Sequence, residues 1–546
     1  MMNFRICKLF FLIAVTVCTP ATSFGNSAYE VDILDTEQLG HVRHIIDSAR
    51  QLPGDWRYLE PRAMLTYDAY QFQLAFMSYA LAMVQINYTP AYKELYKDAQ
   101  LSLIEKMMRR DVWAPTWLEI IEMEPYKSYL EAGKEWRDPV REKNIMYSGH
   151  LLQMIGLYAV LYKDFRFDNP DSIVFEIPGL NGFRNTYDHH SLAQLIYDQF
   201  VENDYMGIEC EPNDVFAECN QHPILGLIHY DWIHGSMLSD VRHAFWDKAE
   251  ELNYIAPHTS RTMYYYRVTE QERVDKPFAW ADGWNAMMMH AWNTDVVRKI
   301  YPAQRDAEKA ALMDTHPEHW RRRWSTPIAC FDFGFLAAYA AEMDDRDTVS
   351  AMLDYADRHF NPQWEDGRYF YPRRDITEAA FFDGLRSEKD WIVPEEKYGQ
   401  HEMTVLIGNV ILPLARLNPG NGLRRLYDRD SAQDWITGDT PEVVNVKYPE
   451  ALISHAAYNR EHNRLSVHIK PGTAYRGMTD IGVINLDTGT HYSVMFDGKE
   501  VFRLHQGKVV SKESGGVEGA WDASDSILTI SLPIDEGHAL DIVSMM

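Results

Sequence analysis

The sequence predicts a mainly α protein: helix pairs closed into an (α/α) toroid, followed by a small antiparallel, β-sandwich-like C-terminal domain. Three observations predict it. From about residue 36 to 430, apolar residues recur at three- and four-residue spacing. Breaks rich in Pro, Gly, Asn and Asp, such as "INYTPAY", "FDNPDS" and "RHFNPQWEDG", cut this region into ten or more helices. After "LNPGNGLRRL" (417–426) the period shortens to strict alternation.

The elements follow in order. The first 25 residues carry Arg5 and Lys8, an apolar run from Leu9 to Val17, and then small residues. This is the pattern of a secretory signal peptide cleaved near Ser23 or Gly25, so the mature chain is expected to be exported, periplasmic or secreted. The run is too short to span a bilayer, and no later segment has about 18 uninterrupted apolar residues, so no membrane partner is expected. Helical segments include "YQFQLAFMSYALAMVQI", "YKELYKDAQLSLIEKMMRR", "NIMYSGHLLQMIGLYAVLYKD", "PILGLIHYDWIHG" and "EMTVLIGNVILPLARL". The loops at 111–143 and 361–400, rich in Trp, Tyr and acidic residues, are expected to line a site at one end of the toroid. Strand signals then appear in "RLSVHIKP", in "HYSVMFDGKEVFRL" with Asp497-Gly498 at a hairpin turn, and in "SILTISLP". The expected division is 1–25 signal peptide, 26–435 helical catalytic domain and 436–546 β domain.

The chain has 546 residues, with 53 basic against 80 acidic ones and a net charge of −27. That balance argues against nucleic acid or an anionic membrane as partner, since either needs clustered Lys and Arg. Removing the leader takes Cys7 and Cys18 with it and leaves Cys210, Cys219 and Cys330. Cys210 and Cys219 stand nine apart in "GIECEPNDVFAECNQHP". One helix would put them about half a turn apart on opposite faces, but Pro212 and Asn213-Asp214 predict a loop in which both sulfurs converge. Export favours a disulfide; a reactive thiol pair and a zinc site are the alternatives. Zinc is disfavoured because His222 lies too near to complete an ordinary ligand set. Glu209, Glu211, Asp214 and Glu218 surround the pair and would raise the thiol pKa values unless a cation lies close by.

In "NIMYSGH", Met146 and His150 share a helix face, and Gly149 beside them predicts the close approach of a packed helix or a ligand. For His150 the alternative to a site role is a satisfied core histidine.

"DPVREKNIMYSGHL" (138–151) and "GIECEPNDVFAECN" (207–220) resemble the signature segments of the linalool dehydratase/isomerase family, in the same order and at similar separation. Looser similarity in "QLAFMSYALA", "VDKPFAW" and "FLAAYAAEM" extends the resemblance over residues 40–415, the β domain lying outside it. The resemblance implies an (α/α)6 barrel that adds water to tertiary allylic alcohols, removes it, or moves the hydroxyl along the allylic system. It implies His150, Cys210 and Cys219 as catalytic residues, the cysteines as free thiols, and Asp47 as the early-helix aspartate, with Asp68 its competitor. Met146, Tyr147, Phe72, Glu211, Trp280 and Asp282 are the substrate-binding candidates. Phe72 and either Trp280 or Asp282 stand where pocket tyrosines are expected, so the substrate is expected to differ from linalool. The partner implied is a small apolar alcohol or alkene, and the family allows a ring-shaped homo-oligomer.

This chemistry calls for no cofactor and no metal, and neither a P-loop nor a dinucleotide fingerprint is present. The rivals are an exported carbohydrate-active enzyme, a glycoside hydrolase or polysaccharide lyase drawing on Asp138, Asp282, Asp332 or Glu402, and a non-catalytic protein that binds hydrophobic ligands.

Overall fold

A computed structural model of the chain describes residues 32–59, 69–122, 126–129, 138–141, 143–178, 183–276, 278–312, 327–372, 403–429, 440–472, 476–511 and 516–545. Residues 1–25, expected as a signal peptide, and Asp68 and Glu402 fall outside them.

Helices dominate as far as residue 417. They are α1 (Thr36–Ala49), α2 (Tyr70–Tyr88), α3 (Glu94–Met107), α4 (Arg110–Glu122), the single turn α5 (Tyr126–Tyr129) and α6 (Ile145–Tyr162). After the hairpin β1 (Ile173–Glu176) and β2 (Arg184–Tyr187) come α7 (His189–Glu202), β3 (Asp214–Val215), α8 (Gln221–His234) and α9 (Val241–Glu251). The short strands β4 (Tyr265–Arg267) and β5 (Glu272–Val274) lead to α10 (Ala279–Met289), α11 (Thr294–Leu312), α12 (Pro327–Glu342) and α13 (Arg346–His359). The hairpin β6 (Gln363–Glu365) and β7 (Arg368–Phe370) and the π-helical turn Ile407–Ile411, which runs into α14 (Leu412–Leu417), complete this part.

Two kinds of helix are present. α3 and α7 bury one stripe, Leu95, Ala99, Leu103 and Met107 in the first, Leu192, Ile196 and Phe200 in the second. α2 and α6 are buried around almost their whole circumference, as helices of an interior layer must be. α6 is long and apolar enough to cross a membrane, yet it lies buried within the protein. The buried helices contact one another in sequence: α2 with α6, α6 with α8, α8 with α10, α10 with α12, α12 with the π turn and α14, and these with α2.

The α6–α8 contact is the closest. A Cβ on Gly149 would lie 2.6 Å from Pro223 Cδ, and one on Gly156 would lie 2.9 Å from His229 Cβ. The neighbour of Gly149 is therefore a packed helix. The two pairs advance together along both helices, so α6 and α8 run parallel.

Ten further strands follow: β8 (Glu442–Val444), β9 (Ala451–Asn459), β10 (Arg464–Pro471), β11 (Met478–Ile484), β12 (His491–Phe496), β13 (Lys499–His505), β14 (Lys508–Ser511), β15 (Glu518–Asp522), β16 (Ile527–Pro533) and β17 (His538–Met545). They form two antiparallel sheets, β14-β13-β12-β17-β10-β9 and β15-β16-β11-β8. The β12–β13 turn has positive φ at both Asp497 and Gly498, as the Asp-Gly pair predicts. Ala91 donates to Ala456 O and accepts from Val443 N, which ties the sheets to the end of α2. The β region thus packs against the helices, as expected. The segment expected as a loop at 111–143 begins instead as helix, through Glu122.

Candidate active site

The cysteine segment is a loop, and its own backbone chemistry explains its shape. "EPND" makes a tight turn, Asp214 N–H donating to Glu211 O at 2.9 Å. Pro212 supplies its fixed φ, and Asn213 takes the left-handed conformation at φ 80° that the next position requires. The following strand β3 pairs with β4. Asn220 closes the loop: its Oδ1 accepts from Ile208 N–H at 2.8 Å and its Nδ2 donates to Ile208 O at 3.0 Å. That clamp brings Cys210 and Cys219 face to face, Sγ to Sγ 3.3 Å apart. Both are free and buried, and a covalent bond would need about 2.05 Å. Glu209 fixes the start of the loop through Lys143 and Asn213 N–H.

Two residues after Cys219, α8 begins, and His222 on its first turn lies against His150 of α6, ring centroids 3.7 Å apart. Trp284 Nε1–H donates to His222 Nε2 at 2.7 Å, so the His222 proton sits on Nδ1 and is donated to Gln153 Oε1, also at 2.7 Å. Gln153 passes the chain on to the Tyr427 hydroxyl. His150 Nδ1 shares a 2.7 Å hydrogen bond with the Tyr79 hydroxyl. Its other nitrogen, Nε2, is buried and has no hydrogen-bond partner among the described residues. Phe72 and Phe76 meet the His150 ring in T-shaped contacts, ring centroids 5.9 and 5.8 Å away. Trp284 stacks on Phe335, so side chains of α2, α6, α8, α10 and α12 all meet here.

Burial sets the protonation of this site. It drives the His150 pKa down to about 3, and His222 is also lowered, by burial first and then by its imidazole neighbour. It pushes Cys210 well up, with the Cys219 thiol and the Glu211 and Glu218 carboxyls adding to the effect, and raises Cys219 to about 11. Glu211 is raised to about 8 by burial and then by Asp214, and Glu218 is raised strongly by burial. Asp214 rises to about 7 through burial, against the pull of Arg267. Near neutral pH the imidazoles are therefore uncharged, and the thiols and Glu211 hold their protons. Glu211 Oε2 and Glu218 Oε2 are buried without hydrogen-bond partners among the described residues. His150 is therefore not the cation that would hold the thiol pKa values down, since burial keeps its imidazole uncharged near neutral pH.

Of the expected residues, His150 and Phe72 are in mutual contact, and Cys210, Cys219 and Glu211 form one loop that ends at His222. Met146 is buried one turn before His150. Tyr147 is turned elsewhere, its hydroxyl donating to Met107 O at 2.9 Å. Trp280 packs on Phe278 and Trp284, at the edge of the aromatic cluster. Asp282 is paired with Arg261 at 2.6 Å and accepts from Thr262 N–H, a structural role beneath the loop that precedes α10.

Asp47 is not among the partners of His150 or the thiols. Its carboxylate accepts from the Tyr448 hydroxyl of the β region at 2.5 Å and lies 3.8 Å from Arg43. The carboxylates named for a glycosidase serve locally: Asp138 accepts from Tyr187 and Val140 N–H, and Asp332 from Trp280 N–H. Tyr79, Gln153, Trp284 and Tyr427 carry no motif of their own. His222 drew attention only as a metal ligand, although its place one helical turn after Cys219 was a usable signal.

The buried imidazoles of His150 and His222 thus lie in an aromatic interior, with the two thiols and Glu211 on the loop that leads into α8. A model of the family described as linalool dehydratase/isomerase matches residues 71–377, and the chain belongs to that family. The match spans more than half of the chain and includes Tyr79, His150, Cys210, Cys219, His222 and Trp284, while Asp47 and the C-terminal sheets lie outside it. Its activity is accordingly of the dehydratase/isomerase type.

Proposed function

We propose that the protein is an exported enzyme that dehydrates, hydrates or isomerises a tertiary or allylic alcohol of terpenoid or alkenol type, by acid–base catalysis. The observation that carries this reading is the set of buried atoms unpartnered among the described residues, His150 Nε2 on α6 and Glu211 Oε2 and Glu218 Oε2 on the loop that carries the two free thiols. Unsatisfied buried polar atoms are costly, about 1–3 kcal/mol each, and cluster where a substrate supplies the missing partner.

Dehydration needs a proton on the leaving oxygen and a base for the adjacent carbon. Glu211, relayed by or acting with the Cys210 thiol, gives its proton to the hydroxyl; the C–O bond breaks and water leaves with the bonding pair. His150 Nε2 then takes the proton from the adjacent carbon, whose C–H electrons form the double bond. An imidazole this weakly basic suffices, because a carbon next to an allylic cation is strongly acidic. In the tautomer this role requires, Nδ1–H faces the Tyr79 hydroxyl and the lone pair lies on Nε2. Return of water at the far end of the allylic system gives the isomer. Each positioned group contributes on the order of 10²–10⁴-fold. Phe72, Phe76 and Trp284 offer ring faces to the cation. Proton transfer alone completes the cycle, so the proposal calls for no cofactor.

The closed sequence of contacts among α2, α6, α8, α10, α12 and α14 supports an (α/α)6 barrel as the architecture of residues 26–435, the site lying within the inner layer. Residues 436–546 form the accessory β domain.

The test is gas chromatography of a panel of tertiary alkenols incubated with enzyme purified without reductant, in parallel with His150→Gln. Loss of alcohol and appearance of alkene with wild type alone supports the reading. No consumption of any member by wild-type protein overturns it.

A further inference from the structure

At the opposite end of α8 from His222 lies a second cluster that proton transfer does not use. It joins three elements: the turn after α6 through Asp168, the start of α7 through His189 and His190, and the last turn of α8 through Tyr230 and His234. From His222 to His234 is twelve residues of helix, about 18 Å at 1.5 Å per residue. Asp168, His190 and His234 each present a ligand atom, and all these atoms lie within 4.8 Å of one another.

Three features make this a metal site rather than a hydrogen-bonded cluster. His234 Nε2 is buried without a hydrogen-bond partner among the described residues, and the 3.7 Å to Asp168 Oδ1 is too long for one. Two ligand atoms sharing a tetrahedral ion at 2.0–2.1 Å stand about 3.3 Å apart, so a small rotation of either side chain closes the pair around a cation. The outer partners are also in place. His189 Nδ1 donates to Asp168 Oδ1 at 3.2 Å, and the Tyr230 hydroxyl lies 3.0 Å from His190 Nδ1, holding carboxylate and ring as second partners hold metal ligands. His234 also ends α8, where the helix carbonyls favour positive charge.

We propose that Asp168, His190 and His234 bind one divalent transition-metal ion, zinc by the chemistry of two imidazoles and a carboxylate, with a coordination position left for water. The ion ties the end of α6 to α7 and α8 at the face remote from the thiols. His190 is exposed, so the ion enters from solvent without opening the core.

Isothermal titration of the metal-free full chain with zinc chloride tests the site. One zinc per chain is expected, bound at least tenfold more weakly by His190→Ala and by His234→Ala. Because the thiols could also take zinc, the same titration is run on Cys210→Ala/Cys219→Ala, whose affinity should be unchanged; zinc absorption spectra should show nitrogen and oxygen ligands and no sulfur. His190→Ala, a surface change, keeps the test open if His234→Ala fails to fold. Absence of saturable binding overturns the proposal, as does binding that survives both histidine changes and is lost with the cysteines.

Discussion

The imidazoles of His150 and His222 lie with their ring centroids 3.7 Å apart, and neither can carry a charge without confronting the other. His222 is locked by Trp284 and Gln153 in one tautomer, whereas His150 keeps one nitrogen unengaged. In the proposed mechanism His222 is thus the ring that positions His150. Replacing His222 by Phe should preserve stacking yet strand the Trp284 N–H and the Gln153 carbonyl, at a cost of about 1–3 kcal/mol for each buried orphan. Thermal melts should show that loss, and turnover should fall less than in His150→Gln, which removes the base itself.

The two thiols should react slowly. With both pKa values raised by burial, little thiolate exists at neutral pH, so intact-mass labelling of native protein with iodoacetamide should lag far behind labelling after denaturation. Two labelled cysteines in the denatured, unreduced sample are expected at 210 and 219. A mass two units lower and no label there would show a disulfide.

Glu211 makes a pH prediction with a definite sign. Its folded pKa, raised to about 8, lies above the unfolded carboxyl value, so the folded state holds a proton that the unfolded state releases. This group's favourable share is fully present below the unfolded pKa and is lost as pH rises through about 8. Glu211→Gln should therefore raise the melting temperature more at pH 8 than at pH 5 while abolishing the acid role. Equal shifts at both pH values would contradict a protonated Glu211.

The buried histidines act in the opposite direction. His150 and His44 are lowered to about 3 and His229 to about 4, mainly by burial. Groups depressed in this way favour the folded state above the unfolded value near 6.5, and that contribution is lost as pH falls toward 3. Acid titration followed by circular dichroism should show stability declining from about pH 6.5 downward.

Gly149 tests the packing of the site. A methyl there would collide with Pro223 and press α8, with His222, away from α6. Gly149→Ala should destabilise the protein by about 1–3 kcal/mol as overpacking does, and should reduce turnover beyond what the melt accounts for.

Much of this was legible from sequence because the carriers are local. The period-3.6 segments, the Asp-Gly hairpin and the Pro212-Asn213 turn each act within a few residues, and the glycine of "YSGH" announced a close neighbour. What could not be read depends on long-range meetings. Tyr79, Trp284 and Tyr427 are ordinary apolar-face aromatics until α6 and α8 bring polar atoms to them. Asp47 is a candidate only through the family resemblance; its partner Tyr448 is some 400 residues away in a β region whose docking no local pattern reports. The neutrality of His150 is likewise a property of its burial among Phe72, Phe76 and His222, which spacing alone could not supply.

The central claim is that His150 and its acid partners move protons on an apolar alcohol. It is tested most directly by incubating the enzyme with a tertiary allylic alcohol in deuterated water and analysing alcohol and alkene by mass spectrometry. The account predicts reversible dehydration with deuterium entering the carbon next to the carbinol centre, and neither product nor label with His150→Gln. Unlabelled, unconsumed alcohol with wild-type enzyme, or equal labelling by the His150 variant, would contradict it.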